Sequence, residues 1–186
     1  MIGEPARPRI DPLPADEGAP PQLNIFRTLA HNEALSKGFL QLGGHLLGGE
    51  VLPVREREIV ILRTGFRSGS EYEFGQHTRI GRRGGLTEDE IARLADSDSS
   101  QWNTNDAALV TLVDELCNEN IVSESTWQAL KARWTDAEIL ELLVLAGFYR
   151  LVSGMLNSVG VALEPSVPGW PDGVVGRYRA PRQEQS

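Results

Sequence analysis

Hydrophobic residues recur every three to four positions through the middle of the chain, the spacing that places them on one side of an α-helix. No stretch alternates apolar and polar residues in the way a half-buried strand does. The pattern therefore predicts an all-α fold of about eight helices. We place these helices near residues 23–31, 33–47, 53–67, 70–83, 87–95, 104–119, 123–133 and 135–158.

Capping residues mark the ends of several predicted helices. Thr87 and Glu90 have the spacing of a capping box, in which each side chain accepts a hydrogen bond from the backbone N–H of the other residue. Thr135 and Glu138 repeat that spacing. The pair Gly84-Gly85 predicts the end of the helix that comes before the Thr87 cap.

Proline divides the chain into a middle and two ends. Six of the eleven prolines lie in residues 1–21, and four more lie at or after Pro165. We therefore predict an N-terminal arm over 1–22, a helical domain over 23–164 and a C-terminal arm over 165–186. Arms of this kind are either disordered or laid as extended chain over a neighbouring subunit.

The charge balance argues against a nucleic-acid partner. The chain has 186 residues, with 18 basic and 26 acidic side chains and a net charge of -8. Nucleic-acid binding depends mainly on cations that face phosphates, and the sequence has no basic cluster. We therefore expect no nucleic-acid partner.

One segment is apolar enough to raise the question of a membrane. Residues 135–158 are hydrophobic nearly all round, but Glu141 and Arg150 lie near the middle. Each charge at a bilayer centre costs ~2.5 kcal/mol or more, so we expect a central helix buried in the fold or between subunits, and no membrane contact. The first residues also lack the apolar core of a secretion signal, which predicts a cytoplasmic protein.

Two ionisable side chains fall on the inward face of the predicted helix 70–83. Glu73 and His77 lie four residues apart on its apolar side, whereas Gln76 and several arginines lie on the opposite side. A buried carboxylate is costly unless something pairs with it. The spacing therefore predicts either a mutual ion pair or a polar pocket.

A third acid lies on the preceding helix. Glu58 falls within the apolar arc of helix 53–67, with Arg55 one turn earlier as its nearest partner on that helix. On the same wheel Glu56, Arg63 and Arg67 form the solvent face. A short turn joins the two helices, so an antiparallel packing would bring Glu58 to the other two groups.

This convergence has two interpretations. The three groups could form a buried salt-bridge network that only fixes helix packing. They could also line a cleft, because clustered ionisable groups with perturbed pKa values are typical of acid/base sites. We prefer the second interpretation, since three inward ionisable groups on adjacent helices exceed what packing requires.

Other polar residues are candidates for substrate contacts or for a metal site. Tyr149 and Asn157 have hydrogen-bonding tips on apolar segments, Arg55 or Arg150 could clamp a carboxylate, and His45 lies among glycines in QLGGHLLGG. Each of them could equally be a structural residue whose polar group forms hydrogen bonds within the fold. The residues that could together hold a metal are His45, Glu58, Glu73 and His77. Their spacing matches no compact ligand motif, so we expect no metal.

Several motifs resemble those of one known family. The run LPVREREIVILRTGFRSGSEYEFGQHTRIGRRGGLTEDEI, with PRIDPLP near the start and LNSVGVALE near the end, resembles the carboxymuconolactone decarboxylase family, which includes the alkylhydroperoxidase D-like proteins. The likeness covers most of residues 7–164. It implies an alkylhydroperoxidase D-like all-α fold and a homo-oligomer, either a trimer or a hexamer of two stacked trimers.

The peroxidase branch of that family has C-x-x-C-x-x-x-H on the corresponding helix. Ser70 and Glu73 occupy the two cysteine positions here, and the single cysteine, Cys117, lies elsewhere. Neither serine nor glutamate can cycle through a disulfide, so we do not expect thiol peroxidase activity. Glu58 matches an acid of that branch's proton relay, and Tyr72 stands where that branch has a histidine.

Glu73 and His77 match the E-x-x-x-H of the decarboxylase-like branch. This implies a cofactor-free lyase that acts on a small cyclic carboxylated or lactone substrate, with His77 as acid/base group, Glu73 as its partner or proton shuttle and Glu58 as a supporting acid. The candidates for substrate contacts are Tyr72, Ser70, His45, Arg55, Tyr149 and Asn157. The alternative is a catalytically silent oligomer that binds a small ligand.

Overall fold

A computed structural model describes residues 8–15, 22–96, 102–174 and 180 of the chain. These segments contain eight α-helices and no strand, so the all-α prediction is confirmed. The predicted helix bounds differ from the observed ones by at most two residues. The helices are α1 Asn24–Leu29, α2 Glu33–Gly48, α3 Val54–Arg67, α4 Glu71–Arg83, α5 Glu88–Leu94, α6 Thr104–Glu119, α7 Glu124–Lys131 and α8 Asp136–Val159.

The predicted capping chemistry is present at the helix ends. Both capping boxes form, at Thr87 with Glu90 before α5 and at Thr135 with Glu138 before α8. After α4 the chain turns at Gly85, whose φ of 98° favours glycine. Local hydrogen bonds of this kind depend only on neighbouring residues, which is why the sequence locates these ends well.

Helix α3, and not the last helix, is the central helix of the fold. Of the two places expected for the last helix, burial between subunits therefore stays a prediction. Residues 56–65 of α3 are all buried, between α4, α5, α6 and α8. Helix α8 buries one face, but Leu140, Val144 and Leu151 on its other face are 62%, 47% and 60% exposed. By length and composition alone α8 is apolar enough to cross a membrane, a test that core helices of globular proteins also pass.

Helices α3 and α4 lie antiparallel and very close together. Gly65 of α3 faces Phe74, and at the other end Gly84 faces Val54. Between these points a Cβ on Gly81 would come within 3.7 Å of the Glu58 Cβ. The small residues therefore let two backbones approach, and this brings the inward acid of α3 next to α4.

The predicted solvent face of α3 is a second point of difference. Arg63 is 0% exposed, and its guanidinium donates to both Asp114 carboxylate oxygens at 2.8 and 2.7 Å. It also donates to the Leu94 carbonyl at 3.1 Å. Glu56 is buried as well and pairs with Arg133 at 2.5 Å. Charged residues can lie inside a fold when ionic partners are supplied, and these partners lie 51 and 77 positions away along the chain.

The described parts of both predicted arms pack against the helical body of the same chain. The Arg9 backbone N–H donates to the Val159 carbonyl at 2.7 Å, and that of Leu13 donates to the Arg27 carbonyl at 3.2 Å. In the C-terminal arm Val167 is buried. The remaining positions of the arms, 1–7, 16–21, 175–179 and 181–186, lie outside the described residues.

Candidate active site

His77 lies between two carboxylates at the contact of α3 and α4. Its Nδ1 is 2.7 Å from Glu58 Oε2, and its Nε2 is 3.1 Å from Glu73 Oε1. Exposure is 5% for His77, 0% for Glu58 and 4% for Glu73. The structure thus brings together the three ionisable groups that the helical spacing placed inward.

Neighbouring residues fix the orientation of this trio. Ser70 is the N-cap of α4, and its hydroxyl accepts a hydrogen bond from the Glu73 backbone N–H at 3.4 Å. On α3, Arg57 approaches the second Glu58 oxygen at 3.4 Å and donates to the Leu47 carbonyl at 2.6 Å. Arg57, and not the predicted Arg55, is therefore the cation beside Glu58.

The two carboxylates change the protonation of the histidine. Burial by itself lowers the pKa of His77, but the charge and hydrogen bond of Glu58, followed by those of Glu73, outweigh it and raise the pKa to about 9. His77 is therefore an imidazolium at neutral pH. Both ring nitrogens then donate, one to each carboxylate.

A cavity of about 230 Å³ opens beside the trio. Its volume is below the ~300–1,000 Å³ that is typical of sites for drug-sized ligands, so it suits a single small ring. Glu73 and His77 form part of its wall, whereas Glu58 lies behind them. The lining residues are Leu23, Ile25, Phe26, Phe39, Leu40, Gly43, Gly44, Leu47, Tyr72, Glu73, Gln76, His77, Ile80, Phe148, Tyr149 and Val152.

Two of the predicted substrate contacts, Tyr72 and Tyr149, line this cavity. The Tyr72 hydroxyl donates to Glu164 Oε1 at 2.8 Å and accepts from the Ile25 backbone N–H at 3.3 Å. The ring of Tyr149 packs edge-on against His77, with centroids 4.9 Å apart. Burial raises the pKa of both phenols, and nearby carboxylates raise it further, so both stay protonated.

The other four predicted contacts lie away from the cavity wall. The Ser70 side chain is used as a helix cap, and Asn157 donates to the Ser68 carbonyl at 3.0 Å. Arg55 is held by Glu90 and Asp106. His45 has a side chain that is 61% exposed and lies 3.5 Å from a Glu141 oxygen. Each of these groups has a structural partner that a helical wheel does not reveal.

Sequence reasoning missed two polar residues beside the cavity. Gln76, which the wheel placed on the solvent side, lines the cavity, and its amide nitrogen donates to Glu164. Glu164 also accepts from the Asn24 backbone N–H at 2.7 Å. The only sequence signal for Glu164 was its position at the end of the LNSVGVALE motif.

The ligand set considered for a metal does not come together. His45 faces solvent, whereas both nitrogens of His77 already face carboxylates. In residues 8–15, 22–96, 102–174 and 180, no three His, Cys, Asp or Glu side chains are grouped so that they could hold a metal ion.

Comparison with known sequences finds a family model that matches part of the chain. Residues 33–115 match the model of the carboxymuconolactone decarboxylase family, in agreement with the resemblance in the sequence motifs. This segment contains Glu58, Glu73 and His77. No curated protein is significantly similar to the chain in sequence.

Comparison with solved structures confirms the alkylhydroperoxidase D-like fold. A protein of unknown function from Agrobacterium tumefaciens superposes with a TM-score of 0.66 at 18% identity, over 73% of this chain and 94% of that one. The AhpD core of an uncharacterised peroxidase-related protein from Ralstonia eutropha gives 0.67 at 21%, over 75% of each. A variant of the debrominase Bmp8, in complex with 2,3,4-tribromopyrrole, gives 0.69 at 12%, over 84% and 92%.

Proposed function

Because residues 33–115 of this chain match the model of the carboxymuconolactone decarboxylase family, we propose that the protein is an enzyme that transfers protons on a small ring substrate without a cofactor. The observation that carries the proposal is the Glu58–His77–Glu73 chain, which ends at the wall of a cavity large enough for one ring. A network that only fixed helix packing would not need that adjoining space.

Each member of the chain has a distinct role in this proposal. Glu73 lines the cavity and is the group that exchanges a proton with the substrate. His77 is the acid/base group that supplies or receives that proton, since its Nε2 faces Glu73. Glu58 keeps the imidazolium oriented and stabilised through Nδ1.

The cavity supports a substrate of one small ring, either a lactone or a carboxylated ring. Its wall is largely apolar, with the polar groups gathered near Glu73. The debrominase Bmp8, which has a related fold, binds 2,3,4-tribromopyrrole in its complex. That ligand is also a single small ring. Decarboxylation of a lactone acid is the reaction suggested by the family name, and we propose a carboxy-lyase or a related proton-transfer lyase or isomerase.

A panel of small lactones and lactone acids tests this function. Carbon dioxide release is followed by mass spectrometry, and double-bond movement by ultraviolet absorbance. We expect turnover to fall at least ~100-fold in Glu73→Gln and in His77→Gln, because each variant removes a proton-transfer group. We also expect activity to decline as the pH rises through about 9, where His77 loses its proton.

Two matched variants test whether losing an imidazole or a carboxylate away from the cavity also affects turnover. His31→Gln and Glu119→Gln change exposed residues outside the cavity and should keep wild-type turnover. A contrary outcome is that the wild type and the variants all bind a ring compound and leave it chemically unchanged. In that case the protein is a catalytically silent binding protein.

A further inference from the structure

The hydroxyl of Tyr149 is a hydrogen-bond donor that the proton transfer described above does not use. Tyr149 lies on α8, is 3% exposed and lines the cavity beside His77. Among the residues that the structure describes, nothing forms a hydrogen bond with this hydroxyl. The residue lines the cavity, so a ligand bound there could supply the partner that this hydroxyl lacks within the protein.

The other polar groups at the same wall are already engaged. The Tyr72 hydroxyl donates to Glu164, and the Gln76 amide nitrogen donates to the same carboxylate. Both nitrogens of His77 face carboxylates. Tyr149 therefore carries the hydroxyl that remains free to bind a ligand next to the reacting groups.

The charges around the cavity indicate which ligand this hydroxyl would bind. Within the part of the chain that the structure describes, no lysine or arginine lines it. Arg57 pairs with Glu58 behind the wall, and the imidazolium of His77 is balanced by Glu73. The charge of Glu164 behind Tyr72 and Gln76 then leaves this side of the cavity negative. A carboxylate on the substrate would meet like charge without a cation to pair with, which disfavours its binding.

We propose that the Tyr149 hydroxyl donates a hydrogen bond to the carbonyl oxygen of the substrate, so that the cavity selects neutral ring carbonyl compounds, such as lactones, over their carboxylated analogues. This inference rests on the proposed function for the identity of the proton-transfer group. It narrows that function to a proton-transfer isomerase or lyase of neutral lactones, because decarboxylation would require a carboxylated substrate. Because the phenol stays protonated, it is a donor across the working pH range.

A β,γ-unsaturated five-membered lactone illustrates the step. The Glu73 carboxylate removes a proton from the carbon next to the carbonyl, and the electron pair of that C–H bond forms a dienolate. Tyr149 donates to the negative oxygen of the dienolate. The Glu73 carboxylic acid then returns the proton to the γ carbon, which gives the conjugated lactone with no net change in atoms or electrons.

A binding experiment tests the hydrogen bond without requiring turnover. γ-Butyrolactone labelled with ¹³C at the carbonyl is titrated with the full-length protein, and the carbonyl resonance is followed by NMR. We expect a downfield shift of the bound carbonyl with the wild type and with the exposed control His31→Gln, and loss of that shift in Tyr149→Phe. A shift that persists in Tyr149→Phe overturns the proposal.

Selectivity is tested with the same ring bearing a carboxylate. We expect the charged lactone to bind at least ~10-fold more weakly than the neutral one, because none of the described residues that line the cavity is a lysine or an arginine. Equal or tighter binding of the charged lactone overturns the proposal. Thermal melting is the control for folding. We expect Tyr149→Phe to melt close to the wild type, since the aromatic ring is kept and only the hydroxyl is removed.

Turnover separates this inference from the proposed function. With α-angelica lactone we expect Tyr149→Phe to lower kcat ~100-fold, the effect of removing one donor to a developing oxyanion. If Glu73→Gln abolishes the double-bond shift while Tyr149→Phe stays within twofold of wild type, proton transfer by Glu73 stands and the role of Tyr149 is wrong. If the ¹³C shift depends on Tyr149 but no lactone reacts, the carbonyl site stands and the proposed enzyme function is wrong.

Discussion

His77 keeps its proton to a higher pH than a free histidine because Glu58 and Glu73 stabilise the imidazolium. A histidine with a raised folded-state pKa stabilises the fold fully below its unfolded pKa of about 6.5, and this contribution is lost as the pH rises through about 9. Relative to His77→Gln, the wild-type free energy of unfolding should therefore fall across that window by on the order of 3 kcal/mol.

Denaturant titrations of both proteins, at several pH values between about 6 and about 10, measure this change. Subtracting the His77→Gln curve removes the titration of groups that the two proteins share. A wild-type advantage that stays constant over the whole window would contradict the ion pairing of the trio.

Arg63 should contribute far more to stability than a surface arginine. It is 0% exposed and is paired with Asp114, so Arg63→Ala leaves a carboxylate and buried carbonyls without their donor. We expect a loss of about 3–5 kcal/mol. Arg82 is the matched control, because its pair with Glu88 is exposed and Arg82→Ala should cost less than about 1 kcal/mol. Urea unfolding of both variants tests the contrast, and equal losses would contradict it.

The residues of the site differ in how well the sequence predicts them. Glu58, Glu73 and His77 could be placed inward because helical periodicity alone decides which face they share. The partners of Arg63 and Tyr72 could not be predicted from helical periodicity. Asp114 lies 51 positions from Arg63, and Glu164 lies 92 positions from Tyr72. A helical wheel treats a charge as exposed unless a partner from another element is known.

At the scale of elements, α4 is pressed against the C-terminal arm. A Cβ on Gly75 would lie 2.1 Å from the Pro168 carbonyl oxygen, which is backbone and cannot move aside cheaply. Gly75→Ala should therefore destabilise the protein by about 1–3 kcal/mol, or displace residues 165–174. Denaturant unfolding measures the loss, and the fluorescence of Trp170 reports the displacement.

Gly38 provides the matched control for this substitution. It lies inside α2 with nothing within 4 Å of the added Cβ, so Gly38→Ala should be neutral or stabilise the helix by up to about 1 kcal/mol. Similar losses at both positions would show that helix propensity, and not contact with the arm, determines the effect.

Helix boundaries were predictable because caps are local, but the layering of the helices was not. The sequence of α8 is more apolar than that of α3, yet α3 is the buried centre. Burial of a helix depends on how its neighbours are arranged around it: α4, α5, α6 and α8 surround α3, whereas the neighbours of α8 leave one of its faces exposed. Composition does not reveal this arrangement, which is why the sequence alone left open whether α8 is buried in the fold or between subunits.

At the scale of the molecule, the exposed face of α8 is the surface that we expect to form an oligomer. Leu140, Val144 and Leu151 form an apolar stripe at helical spacing. Leu151→Glu should shift the protein toward smaller species, because it places a charge in that contact. Ile121→Glu is the control, since Ile121 is equally exposed outside any helix. Light scattering measures both, and a monomeric wild type would contradict the assembly.

The cavity wall draws on parts of the chain that the family match does not include. The proposed proton-transfer groups lie within residues 33–115, but Leu23, Ile25 and Phe26 precede that segment, and Phe148, Tyr149 and Val152 follow it. Part of the shape of the cavity is therefore encoded outside the matched segment. A match over residues 33–115 alone consequently does not fix which ring the cavity accepts.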